Sequence, residues 1–293
     1  MFSSGLRRPM QNESTKDRLS VPPVETIARH YDSLDFFYRD IWGEHIHHGL
    51  WLTGQESPAE AADQMSRRVL ERLELTQGAH LADVGCGYGG TARIAAASYG
   101  AHVIGYTISS AQKRYADERN VSRGSVEMRL QDWAESGLTN GSFDALLSLE
   151  SIEHMPDRMN FARQARRVLR PGGRMVICTW LAAESMSAWS ERHLLEPIAR
   201  EGRQAALVTA GELSSLLNTA GFADVRIEDV TSQVKKTWSV VIRRMLLRVL
   251  TRPRYWRLMV NSSASDRIFA ITACRILVAY QTGCMQFAMF TCR

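Results

Sequence analysis

The chain has 293 residues, enough for one large domain or for a domain with a cap. Hydrophobic residues make up 45% and charged residues 23%, which excludes a disordered chain. The net charge of +5 comes from arginines scattered through helical segments, with no Lys/Arg run of five or more, so no nucleic-acid partner is expected.

Residues 1–20 are polar and lack the apolar stretch of a secretory signal; residues 1–23 read as a disordered tail. Residues 24–40 read as a helix, with Tyr31, Leu34, Phe37 and Tyr38 at helical spacing. The aromatic, histidine-rich run 42–51 follows. Residues 58–75 form an amphipathic helix started by Ser57-Pro58, with Ala61, Met65, Val69, Leu70 and Leu73 on its apolar face. Residues 24–75 are expected to form a helical lid.

From residue 76 strands alternate with helices. Strands are expected at 80–84, 102–106, 126–130, 143–149 and 174–180, with helices at 91–99, 110–120 and 158–169. The pattern then loosens into helices at 184–203 and 210–219, a strand at 223–230, a helical stretch at 234–280 and a last strand at 285–290. Alternation of this kind predicts an α/β fold: a Rossmann-like, mainly parallel seven-stranded sheet with helices on both faces. The core is assigned to residues 76–233 and 281–293, with 234–280 as a helical cap inserted before the last strand. The apolar stretch 268–280 is too short to span a bilayer and contains Arg275. Five cysteines without a C-x-x-C pair read as reduced, buried thiols in a cytoplasmic protein.

The run L-A-D-V-G-C-G-Y-G-G at 81–90 carries the chemistry. Gly85, Gly87 and Gly89 follow the first core strand, where glycines let backbone approach a nucleotide-like cofactor. Asp83 stands just before them. A carboxylate there suits a cofactor with a cationic amino group, S-adenosylmethionine, better than a pyrophosphate. An NAD-linked oxidoreductase is the rival reading, since Gly85, Gly87 and Gly90 also fit G-x-G-x-x-G. That motif asks for an acid roughly 20 residues on. Here the second strand ends in Thr107-Ile108-Ser109, and no Asp or Glu lies between Asp83 and Asp117.

Further stretches are I-W-G-E-H-I-H-H-G (41–49), G-Y-T-I-S-S-A-Q (105–112), Q-D-W (131–133), S-L-E-S-I-E-H-M-P-D (148–157), P-G-G (171–173) and V-I-C-T-W (176–180). With these, the chain resembles class I S-adenosylmethionine-dependent methyltransferases, and within them the γ-tocopherol methyltransferase-like group. The resemblance implies a methyl transfer that leaves S-adenosylhomocysteine. It implies that Asp83, Gly85, Gly87 and Gly89 hold the methionine half, and that Thr107, Ser109 and Gln112 contact the ribose. Asp132 and Trp133 would flank the adenine, and Leu149 and Glu150 would face the sulfonium. Plant members carry a plastid transit peptide and this chain shows none, which points to a bacterial relative with a different acceptor.

Glu150 and His154 are four apart, a spacing that places them on one helical face, with His154 as general base or acceptor-orienting group and Glu150 beside it. A packed helical histidine satisfied by backbone is the alternative. His45, His47 and His48, with Glu44, read as part of the lid, and no metal is expected. Tyr31, Tyr38, Trp42, His48, Trp180 and Trp238 are the expected walls of the acceptor pocket. Arg244, Arg248 and Arg252 repeat every four residues, as a strip for a phosphate head group or a weak membrane-surface contact, or as a solvated helix face. The acceptor is expected to be small and hydrophobic: a prenylated aromatic, an isoprenoid or another specialised metabolite. An isoprenyl diphosphate alkene methylated on carbon through a carbocation is the alternative. Oligomeric state and the methylated atom stay open.

Overall fold

The computed structural model describes residues 22–255 and 264–293. All but the last two residues of the expected tail, and residues 256–263 of the expected cap, lie outside the described residues.

Two short helices open the described chain, α1 (Val24–Ser33) and α2 (Asp35–Ile41). One helix was expected here; the chain breaks at Leu34, whose ψ of 9° leaves the helical range. The helix α3 (Pro58–Leu73) starts at a capping box, in which Ser57 and Glu60 satisfy each other's backbone N–H groups. Its buried stripe includes Met65, Val69 and Leu73.

The core then runs β1 (His80–Val84), α4 (Gly90–Tyr99), β2 (His102–Thr107), α5 (Ser110–Asp117), β3 (Ser125–Leu130), β4 (Phe143–Leu149), α6 (Arg158–Val168) and β5 (Leu169–Ala182). The expected helix 184–203 is three pieces: α7 (Ala188–Ser190), a π-helical turn Glu191–Leu195 and α8 (Glu196–Glu201). After α9 (Ala210–Thr219) and β6 (Arg226–Asp229) come α10 (Thr231–Val234), α11 (Lys236–Thr251), α12 (Ala264–Gln281) and β7 (Met285–Cys292).

One seven-stranded sheet has the order β3-β2-β1-β4-β5-β7-β6. The first five strands pair in parallel, and β7 runs antiparallel between β5 and β6. Burial of both faces follows from the period of two along each strand. Leu81, Val103, Leu147, Val176 and Phe287 face one core, with α3, α4, α11 and α12. Ala82, Val84, Leu146, Ile177 and Phe290 face the other, with α6 and α9. The strand order reverses between β1 and β4, and in open α/β sheets ligands bind at such a point, beyond the carboxyl ends of the strands. Among the described residues no helix is long and apolar enough to cross a membrane. Four of the five cysteines are at least partly buried; Cys274 is exposed, against the expectation of buried thiols.

Candidate functional site

Two connected hollows lie at that switch point. The larger encloses about 780 Å³, open to solvent, between the ends of β1, β2 and β4 and the inner side of α1. Gly85, Gly87, Thr107, Gln112, Asp132, Trp133, Leu149 and Glu150 line it. A smaller hollow of about 330 Å³ continues from it past Asp83, Gly85 and Gly87 to His45 and His47.

The glycine loop has physical reasons for its composition. Gly85 has φ of +75°, and a Cβ there would lie 2.2 Å from the Cβ of Ser151. Ser151 cannot retreat, because its hydroxyl donates to the Val84 carbonyl at 2.5 Å and bonds the Ser148 hydroxyl at 2.7 Å. Gly87 has φ of +55° and open space beside it, so its backbone is bare toward the hollow. Asp83 is buried, and its Oδ2 has no hydrogen-bond partner among the described residues. Burial pushes its carboxyl up to about 7. An uncompensated buried carboxylate asks for a cation, and the ammonium of S-adenosylmethionine is one. The donor set therefore fits that cofactor: Asp83 for the amino group, the loop backbone for the methionine part, Thr107 and Gln112 for the ribose side, Asp132 for the base.

Some of the expected contacts are placed elsewhere. Gly89, φ +74°, is the left-handed N-cap of α4, and its missing Cβ would face Arg93 and Met128 instead of the hollow. Ser109 caps α5 and donates to Asp32 of α1 at 2.5 Å. Trp133 does line the cleft, but it is only 2% exposed and sits edge-on to Tyr106 with ring centroids 5.3 Å apart, so it forms part of the cleft's floor.

A second chamber of about 660 Å³ adjoins the cleft and shares Tyr31, Ile46, Glu150 and His154 with it. Tyr31, Tyr38, Trp42, His48, Trp180 and Trp238, from five separate stretches of chain, all line this chamber. Ile198 of α8, Thr237 of α11 and Ile276 of α12 complete its walls.

Glu150 and His154 do not form the expected pair. Glu150 has φ of +54°, so the chain leaves β4 by a left-handed residue and a 3₁₀ turn (Ile152–His154) in place of a helix. The two side chains then take different partners. Glu150 accepts from the His48 backbone N–H at 2.6 Å, from His48 Nδ1 at 2.9 Å and from Trp180 Nε1 at 2.9 Å. The Trp238 indole N–H, which can only donate, lies 2.8 Å from His48 Nε2. His48 Nε2 is therefore an acceptor, and Nδ1 carries the proton given to Glu150. Burial pulls the Glu150 carboxyl upward, but the His48 contacts outweigh it and hold it below the ordinary value. This cluster is saturated and ties the 42–51 stretch to the core.

His154 is differently poised. Its Nδ1 lies 3.0 Å from the Arg203 carbonyl, an acceptor only, so Nδ1 carries the hydrogen. Its Nε2 is then a lone pair, 2.9 Å from the Tyr31 hydroxyl at the junction of cleft and chamber. Burial lowers its pKa, with the Arg203 carbonyl opposing, so the ring is neutral at pH 7.

His45 and His47 bond to each other at 3.2 Å and to Ser66. Burial, then the neighbouring His47 and Arg93, push His45 down to about 3. No group of three or more His, Cys, Asp or Glu that could hold a metal occurs among the described residues. The arginine strip is engaged with α2. Arg244 donates to the Ile41 carbonyl at 2.6 Å, and Arg248 and Arg252 both pair with Asp40, at 2.8 and 3.0 Å. These arginines fasten α11 to α2 and are not in the chamber lining.

Two site residues lay outside the sequence reading. Asp32 accepts from Ser109, Ser110 and the Ala111 N–H at 2.5–3.0 Å, holding α1 against the N-terminus of α5. Glu153 is buried, accepting from the Trp180 backbone N–H at 2.9 Å and from the Thr179 hydroxyl at 2.8 Å. The S-L-E-S-I-E-H-M run was visible; that its second acid points inward was not.

Residues 19–240 match the model of the mycolic acid cyclopropane synthetase family, well over half of the chain. The chain belongs to this family. The tocopherol O-methyltransferase of Arabidopsis thaliana is 28% identical over 291 residues, covering 91% of this chain and 81% of that protein. The 27-O-demethylrifamycin SV methyltransferase of Amycolatopsis mediterranei (strain S699) is 32% identical over 235 residues, covering 77% and 84%. In fold, the chain is similar to the mycolic acid cyclopropane synthase CmaA1 complexed with S-adenosylhomocysteine (TM-score 0.82, 20% identity, 94% and 99% covered). The chain is an S-adenosylmethionine-dependent class I methyltransferase, tocopherol methyltransferase-like, of specialised metabolism. The oxidoreductase reading falls with that assignment.

Proposed function

We propose that the enzyme methylates a hydroxyl oxygen of a small hydrophobic acceptor, a prenylated aromatic or isoprenoid alcohol. The observation that carries this reading is the lone pair of His154 Nε2, held between the cofactor cleft and an aromatic chamber. Bound S-adenosylmethionine supplies a methyl carbon on a sulfonium, an electrophile with a good leaving group. The protein's work is to align the acceptor, exclude water and take one proton. The acceptor hydroxyl displaces the Tyr31 hydroxyl from His154 Nε2, or passes its proton through it. The Arg203 carbonyl bonds Nδ1–H and stabilises the imidazolium that forms. Trp42, Trp180 and Trp238 supply an apolar wall, and the Glu150–His48 cluster fixes two of those indoles. Residues 24–51 act as a lid, latched by Asp32, and α11 and α12 act as the cap.

A diphosphate acceptor has less support, since Arg244, Arg248 and Arg252 are engaged with α2. The test is an acceptor panel with isotopically labelled methyl donor, comparing hydroxylated prenyl aromatics, isoprenoid alcohols and isoprenyl diphosphates. A labelled methyl ether from a hydroxylated acceptor is expected. Label on carbon, from an isoprenyl diphosphate alone, would overturn the oxygen assignment.

A further inference from the structure

The cap helix α11 has two faces. Thr237, Trp238 and Val241 are buried, the first two against the chamber. On the other side Leu246, Leu247 and Leu250 are exposed by 60, 52 and 75%. Together with exposed Arg243 they fall at i, i+3, i+4 and i+7, a single stripe. Exposed leucines scattered singly need no explanation; three on one stripe do.

The charge around the stripe selects its occupant. No Asp or Glu occurs between Asp229 and Asp266, so every charge on α11 is basic. Arg243 forms no ion pair among the described residues, and Arg254, exposed past the helix end, lays its guanidinium over the Phe36 ring at 3.5 Å with no acidic partner among them. An apolar stripe edged by arginine is the pattern of a helix lying in the interfacial plane of an anionic bilayer. With 16 residues and an inner face committed to the chamber, α11 is built to lie on such a surface and is too short to span it.

We propose that the outer face of α11 docks the enzyme on an anionic phospholipid surface. The leucines enter the acyl boundary while Arg243 and Arg254 meet lipid phosphates. The chamber then lies directly behind the docked helix, within reach of acceptors that partition into lipid.

The test is co-sedimentation of the full chain with vesicles of phosphatidylcholine containing about a third phosphatidylglycerol, and with phosphatidylcholine alone. Binding to the anionic vesicles, weakened by salt, is expected. L246E/L250E should lower the partition coefficient by about tenfold or more, and R243E by a smaller factor, with thermal melts unchanged because these side chains are exposed. Failure of the parent chain to bind, or equal binding by L246E/L250E, would overturn the proposal. So would a dimer in sedimentation velocity that L246E/L250E abolishes, which would assign the stripe to a second copy of this chain.

Discussion

Replacing Gly85 by alanine tests how the cofactor loop is built. Two costs are separable. A Cβ at φ +75° puts an L-residue in the left-handed region, at about 1–2 kcal/mol. The same Cβ stands 2.2 Å from the Cβ of Ser151, and Ser151 is pinned by Val84 and Ser148. Overpacking of this kind costs about 1–3 kcal/mol. Gly85→Ala should therefore lose about 2–5 kcal/mol, with loss of S-adenosylhomocysteine binding, because the displaced backbone lines both hollows. Ser151→Gly removes the clash, at the separate cost of the hydroxyl's bonds to Val84 and Ser148. The double variant should be less destabilised than the sum of the two single changes, by about 1–3 kcal/mol. Calorimetric melts of the four proteins, with a titration of S-adenosylhomocysteine into each, make the measurement. Additive losses would refute the close approach as the reason for this glycine.

Three further outcomes are expected. Asp32→Ala removes three hydrogen bonds between α1 and α5, and tryptic cleavage after Arg29 should speed up about tenfold. Equal cleavage would refute the latch. Burial pulls the Asp32 carboxyl upward, but its hydrogen bonds hold it below the ordinary value of 3.8. The latch is therefore complete above that pH and is lost as pH falls through the lowered value. Glu153 is the opposite case: burial, then the Glu150 charge, raise it from 4.5 to about 7. Stability should fall as pH rises through that window, by ~3 kcal/mol at most. Glu153→Gln keeps the acceptor for Thr179 and Trp180, and should flatten the pH dependence of the urea midpoint. An unchanged slope would contradict this. S-adenosylhomocysteine should protect residues 24–51 from proteolysis, and equal cutting with and without it would remove the lid.

What could be read in advance was whatever short-range pattern encodes. The glycine loop, the alternating strands and the aromatic residues announce themselves within a few positions. The sheet's two cores follow from period two along β1 and β4. Long-range partners were invisible. Tyr31 and His154 are 123 residues apart, and His48 and Glu150 are 102 apart. The i, i+4 reading of Glu150 and His154 failed because one left-handed residue at Glu150 cancels helical geometry. The arginine strip on α11 looked like an anion site because its counter-ion, Asp40, is on α2. Ser109 looked like a ribose contact, yet its hydroxyl is engaged by Asp32, which no local motif marks.

The most direct single measurement is the pH profile of methyl transfer by the parent enzyme and by His154→Gln, under saturating methyl donor. Burial lowers the pKa of His154 below 6.5, so the base form persists and the parent rate should fall only below that pH. The glutamine variant should bind S-adenosylhomocysteine as the parent does, lose roughly 10²–10⁴ in kcat, and lose the acid limb of the profile. A variant that keeps both the parent rate and the parent profile would show that the proton leaves by another route and that His154 is a packing residue.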